Sequence, residues 1–99
     1  MEDSNNEQYI YLLVECTLGR DKTTIEYDIT PFRTLTDVNN TILDTITDTA
    51  KSNRDDLSYV SYIHHYCIDP SYHGKIYFGR IEFKSGVEKT YTVLLRKIY

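Results

Sequence analysis

Residues 9–18 alternate along the chain. Ile10, Leu12, Val14, Cys16 and Leu18 share one parity, and Tyr9, Tyr11, Leu13, Glu15 and Thr17 the other. A period of two is that of an extended strand with one covered and one bare face, and the aliphatic set is the one expected to be covered. Gly19 to Lys22 supply turn chemistry, after which Thr23, Ile25, Tyr27 and Ile29 alternate with Thr24, Glu26 and Asp28. The pattern predicts two strands joined as an antiparallel hairpin. In this register Cys16 is inert packing in the apolar layer.

The period changes at Pro31. Leu35, Val38, Ile42, Ile46 and Ala50 recur at helical spacing, Thr36 offers an N-cap with Asp37 in the first turn, and the polar run over residues 51–56 ends the segment. Thr41, Thr45, Thr47 and Thr49 are β-branched and lower the intrinsic preference for helix. The helix is therefore expected to depend on packing against a sheet. Its other side carries Asp37, Asp44 and Asp48, either a solvated face or an acidic surface for a partner protein.

Three strand-like runs follow, over residues 57–68, 75–84 and 87–99. Pro70 and Gly74 interrupt the first connection and Lys84, Ser85 and Gly86 form a tight hairpin signal, which together predict an antiparallel meander. Ile76 and Phe78 share one parity while Ile81 and Phe83 share the other; a bulge at Gly79 reconciles them. In the last run Val87, Tyr91, Val93, Leu95 and Tyr99 share a face. The order β-β-α-β-β-β predicts an α+β fold, a five-stranded antiparallel sheet with one helix packed on one face. A chain of 99 residues has room for one core, here a single domain over residues 9–99 behind a polar tail at residues 1–8.

Composition narrows the function classes. With 40% hydrophobic and 26% charged residues, four Gly and two Pro, the chain has the makings of an ordinary folded domain. Residues 1–56 hold five Lys/Arg against twelve Asp/Glu, a balance of −7, and residues 57–99 hold six against three, a balance of +3. The net charge of −4 argues against a general coat for nucleic acid, while the asymmetry allows one acidic and one weakly basic face. The acidic start "MEDSNNEQ" is unlike a secretory signal, and no apolar run approaches the ~20 residues needed to span a bilayer. Two cysteines make no disulfide framework. The expectation is a cytoplasmic protein without membrane contact.

The stretch "YVSYIHHYCIDPSYHGK" over residues 59–75 concentrates reactive side chains, including all three histidines. Read as a strand, it places Tyr59, Ser61, Ile63, His65 and Cys67 on one face, and Val60, Tyr62, His64, Tyr66 and Ile68 on the other. His65 and Cys67, with Asp69 or His73, have the right chemistry for zinc, but a closed structural site brings four ligands together across a defined turn. Cys67 with His65 or His73 as base lacks any nucleophile turn, phosphate loop or helical paired-ligand motif beside it. No catalytic, metal or cofactor set is assigned, and the chain reads as a non-enzyme.

Residues 74–83, "GKIYFGRIEF", interleave aromatics with basic groups. Lys75, Tyr77 and Arg80 form an alternative, nucleic-acid-binding face, on which unpaired bases could stack. The single helix and Glu82 depart from an RNA-recognition sheet. Ten tyrosines and no tryptophan raise a further question. One helix covers one side of a sheet, and in the register above Tyr9, Tyr11 and Leu13 lie on the side away from it. Tyrosine suits interfaces, where its ring packs and its hydroxyl stays bonded. These three are the candidate interface, and a homodimer is the simplest cover for them.

Over its whole length, in its Tyr, Ile, Thr and Asp bias and in "QYIYLLVECTLGRDK" and "YVSYIHHYCIDPSYHGK", the chain resembles the small orphan proteins of filamentous lipothrixviruses that infect acidothermophilic archaea. The resemblance implies a thermostable viral protein acting in the host cytoplasm on a host or viral protein, with host defence among the candidate targets. It also implies a compartment in which intracellular disulfides occur. Together these readings favour a protein-binding protein, with nucleic-acid binding as the alternative.

Overall fold

A computed structural model describes residues 8–72 and 74–98; the tail over residues 1–7, His73 and Tyr99 lie outside the described residues. The elements follow in the expected order: β1 (Gln8–Leu18), β2 (Ile25–Phe32), α1 (Leu35–Ser52), a 3-10 turn (Arg54–Asp56), β3 (Leu57–Tyr62), β4 (Lys75–Phe83) and β5 (Glu88–Ile98). The strands form one antiparallel sheet in the order β2-β1-β5-β4-β3. α1 lies against one side of it, so the fold is α+β as the pattern predicted.

The helix cap lies two residues before the expected one. Thr34, not Thr36, is the N-cap: its backbone is extended and its Oγ1 accepts from the Asp37 N–H at 3.2 Å. Capping there brings Leu35 into the first turn, where it packs on the core. At the other end, the Asn53 N–H and Nδ2 both donate to the Thr49 carbonyl, at 3.1 and 2.9 Å. Val38, Ile42 and Ile46 are buried against Leu13, Phe78, Ile81, Phe83, Tyr91 and Val93. Each such side chain contributes roughly 1.5–3 kcal/mol by leaving water, which holds a helix that its threonines weaken.

The bulge in β4 is where the parity break placed it. Tyr77 pairs with Thr92 and Gly79 with Tyr91, leaving Phe78 as the extra residue. Phe78 is fully buried, and the shift returns Ile81 and Phe83 to the helix side. Gly79 sits close to both α1 and β3: a Cβ there would lie 2.6 Å from the Ser61 carbonyl oxygen and 2.9 Å from Ile46 Cδ1.

The expected faces of β1 are exchanged. Leu13 pairs with Val93 and Tyr11 with Leu95, and Leu13 is buried on the helix side with Tyr11 packed beside it. Ile10, Leu12, Val14, Cys16 and Leu18 therefore face away from the helix. Either face of β1 is apolar enough to be covered, so its own alternation does not decide between them. β5 decides it, because Tyr91, Val93 and Leu95 are buried while Thr90 and Thr92 share the other side.

Two strands differ in length from expectation. β2 starts later, because the Asp21 carboxylate accepts from the Thr23 and Thr24 N–H groups, both at 2.9 Å, and holds the chain in a loop. It continues through Pro31, which an edge strand tolerates. β3 ends at Tyr62 instead of residue 68. Cys67 therefore lies beyond the sheet, and both Cys16 and Cys67 are free thiols.

Candidate interface on the open sheet face

The register defines the side of the sheet away from α1 as a grid of rows running across the strands. One row reads Ile25, Leu18, Glu88, Glu82 and Tyr59 from β2 to β3; the next reads Tyr27, Cys16, Thr90, Arg80 and Ser61. Then come Ile29, Val14, Thr92 and Tyr77, followed by Pro31, Leu12, Leu94 and Lys75, then Ile10 beside Arg96, and last Gln8 beside Ile98. The β2 and β1 columns are almost wholly apolar, whereas the β5, β4 and β3 columns are mostly polar.

The apolar columns are open to water. Ile25 is 51% exposed, Tyr27 62% and Ile29 57%, and Leu12, Cys16 and Leu18 beside them are half-buried; Val14, in the middle, is buried. On the polar side the Tyr77 hydroxyl is hydrogen-bonded to Ser61 Oγ at 2.9 Å, and the Arg80 guanidinium lies 5.4 Å from the centre of the Tyr59 ring while pairing with Glu82.

Of the residues the sequence singled out, Tyr11 and Leu13 belong to the helix-side core and not to the open face. Tyr9 shares their parity. The tyrosine set Tyr9, Tyr11 and Leu13 is thus replaced, as the bare surface, by the opposite side of the same strand. Cys16, expected in the core, is half-buried on the open face, and Cys67 is exposed. Lys75, Tyr77 and Arg80 do fall on one face, because the bulge at Phe78 brings Arg80 round to the side of Tyr77. Asp37, Asp44 and Asp48 are exposed on the outer side of α1. Asp48 also borders a groove of about 460 Å³ between the end of α1 and the β4–β5 turn, floored by Phe83 and Val87 and edged by Asn53, Asp56 and Lys89.

The histidine-rich stretch leaves the sheet after Tyr62. His65 turns inward, its ring 4.3 Å from that of Phe78 and its Nε2 hydrogen-bonded to the Tyr77 carbonyl oxygen at 2.7 Å. His64 and Tyr66 lie outside with their rings tilted against each other at 4.8 Å, and Tyr66 is 90% exposed. No group of three His, Cys, Asp or Glu residues among the described residues is placed to hold a metal ion; His73 is outside them. No helix among the described residues is long and apolar enough to cross a membrane. The β2 edge was the signal to find in the sequence: Ile25, Tyr27 and Ile29 alternate with acids on an edge strand whose outer face the helix does not cover. No family model, curated protein or solved structure matches the chain.

Proposed function

We propose that the chain is a non-enzymatic binding protein that engages another protein through the open face of its sheet. The observation that carries this reading is the line of Ile25, Tyr27 and Ile29, each more than half exposed, beside Leu12, Cys16 and Leu18. Apolar surface left in water forgoes about 25 cal/mol per Å², and contiguous patches of more than a few hundred Å² mark interaction surfaces on folded chains. The viral setting, and with it a host or viral protein in the host cytoplasm as the target, rests on the sequence resemblance.

The test compares capture from a host lysate by the wild type, Tyr27→Glu and Asp44→Lys, each first shown by circular dichroism to be folded. Tyr27→Glu is expected to lose the proteins that the wild type retains, and Asp44→Lys to keep them. Loss confined to Asp44→Lys would move the binding surface to the acidic side of α1.

The alignment of Lys75, Tyr77 and Arg80 on one face supports a second reading, nucleic-acid binding. Arg80 is paired with Glu82, and Glu88 shares the face, which weakens the attraction for phosphate. A steep fall of single-strand affinity with salt, abolished in Arg80→Ala, would favour this reading.

A further inference from the structure

We propose that the occupant of the open face is a second copy of this chain, related by a two-fold axis that lies between the two sheets and runs across the strands. The inference rests on the binding role of that face and names its partner.

The size of the face is sufficient. Five strands about 4.8 Å apart and eight residues at about 3.3 Å each project to roughly 600 Å², which side-chain relief raises toward the ~800 Å² per partner of a standard stable interface. Sheets packed face to face stand about 10 Å apart with strands near −30°. That geometry lets the side chains of Ile25, Tyr27 and Ile29 interdigitate with a facing set.

The distribution of side chains selects the axis. An axis parallel to the strands and centred on the sheet, as burial of the whole face needs, would lay β2 over β3, setting Ile25, Tyr27 and Ile29 against the side of the sheet that carries Ser61 and Arg80. An axis across the strands lays β2 on β2 and β1 on β1, so the apolar columns bury each other. Charge agrees with the second choice. Glu82 and Glu88 lie in the first row of the grid, with Arg80 in the row beside them, and Lys75 and Arg96 lie toward the other end. Turning a copy about the cross-strand axis reverses the rows, carrying the acids of each copy to the bases of its partner, twice over. Glu82 already holds Arg80, and Glu88 holds Lys22 at 2.8 Å. The intermolecular pairs are therefore rim contacts that set orientation, while the apolar columns carry the affinity.

The test is sedimentation equilibrium across nanomolar to micromolar concentration on the wild type, Tyr27→Glu, Lys75→Glu, Glu82→Lys and the Lys75→Glu/Glu82→Lys double variant, with thermal unfolding of each to confirm the fold. The wild type is expected at twice the chain mass and Tyr27→Glu at the chain mass. Each charge reversal alone should weaken association by roughly three- to tenfold, as two symmetry-related exposed ion pairs do, and the double variant should recover it. A wild type that is monomeric throughout, or a Tyr27→Glu dimer as tight as the wild type, overturns the second copy. Single reversals that weaken association without recovery in the double variant overturn the cross-strand axis. If the wild type is monomeric while Tyr27→Glu still loses its captured proteins, the partner is wrong and the binding face stands; if Tyr27→Glu keeps those proteins, the face itself is wrong.

Discussion

Asn39 and His65 exchange a pair of hydrogen bonds: Asn39 Nδ2 donates to the His65 carbonyl at 2.7 Å, and the His65 N–H donates to Asn39 Oδ1 at 3.1 Å. A side-chain amide offers the same donor and acceptor as a peptide group, so the helix pairs with the chain beyond β3 as a neighbouring strand would. Asn39 Nδ2 also donates to the Leu35 carbonyl at 3.1 Å, and the Tyr62 hydroxyl donates to Asn39 Oδ1 and to its backbone carbonyl, both at 3.1 Å. The amide is buried and fully bonded.

Removing that amide strands several partners at once. Asn39→Ala is expected to destabilise the fold by about 2–4 kcal/mol, since both backbone groups of His65 lose their bonds and the Tyr62 hydroxyl keeps only the backbone carbonyl of residue 39. Urea denaturation measures the loss, and limited proteolysis should cut residues 63–72 faster than in the wild type. An unchanged midpoint would show that the loop does not depend on this anchor.

The two faces of β1 should respond differently to truncation. Leu13→Ala opens a cavity in the helix-side core and is expected to cost about 2–4 kcal/mol. Leu12→Ala, on the open face, is expected to cost less than about 1 kcal/mol when measured at concentrations too low for association. Equal losses would contradict the observed register.

These two positions also mark how far the chain could be read from its letters. The helical stripe of Val38, Ile42 and Ile46 was legible because one side of α1 is apolar and the other is not, and the β4 bulge was legible because Phe78 and Ile81 cannot both face inward without one. The face of β1 was illegible because Leu12 and Leu13 are equivalent until β5 is laid beside them. The end of β3 was illegible for a different reason. Residues 63–68 continue a strand-like alternation, but the bonds of Asn39 to His65, 26 positions away in sequence, draw them off the edge. At the helix start, Thr34 and Thr36 can each cap, and the packing of Leu35 selects the first.

Gly79→Ala places a methyl group against the Ser61 carbonyl and Ile46. Overpacking of this kind costs about 1–3 kcal/mol, and in a domain of this size a loss of ~2 kcal/mol lowers the Tm by roughly 10 °C. Calorimetry on the variant checks it; a shift of less than a few degrees would mean that α1 can move away from the bulge.

Tyr91 is almost wholly buried, and its hydroxyl lies near Glu15 and Thr49 without a hydrogen bond to either. Burial, with the Glu15 carboxylate close by, pushes its pKa above the ordinary phenol value. Tyr91→Phe keeps the ring and removes the unbonded group, so stability should be unchanged or higher by up to about 1 kcal/mol. A clear loss in thermal unfolding would reveal a bonding partner for the hydroxyl.

Acid should weaken the fold through three surface carboxylates. The N–H groups of Thr24 and Thr23 hold Asp21 well below the ordinary carboxylate range, the Ser71 N–H lowers Asp69, and the Lys22 ammonium lowers Glu88. A carboxyl with a lower pKa in the folded chain than in the unfolded one contributes its stability above about pH 4 and loses it as the pH falls toward the folded value. Urea midpoints should therefore fall between about pH 4 and pH 2. Asp21→Asn retains an acceptor for Thr23 and Thr24 without the titration, and its acid limb should be shallower than that of the wild type. An identical limb would remove Asp21 as a source.

The central position of β5 has a consequence for how the molecule is made. β1 and β4 each find their second neighbour only in the last strand of the sheet, and the pairing reaches from Gln8 to Ile98. During synthesis, the β1–β2 hairpin and then α1 leave the ribosome before the sheet is complete, and the β3–β4 hairpin can meet them only through α1, whose Val38, Ile42 and Ile46 pack on both. Contacts so distant along the chain carry the full entropy of loop closure and slow the assembly of a β-rich domain. Strand pairing between the two hairpins therefore waits for β5, which alone makes them one sheet.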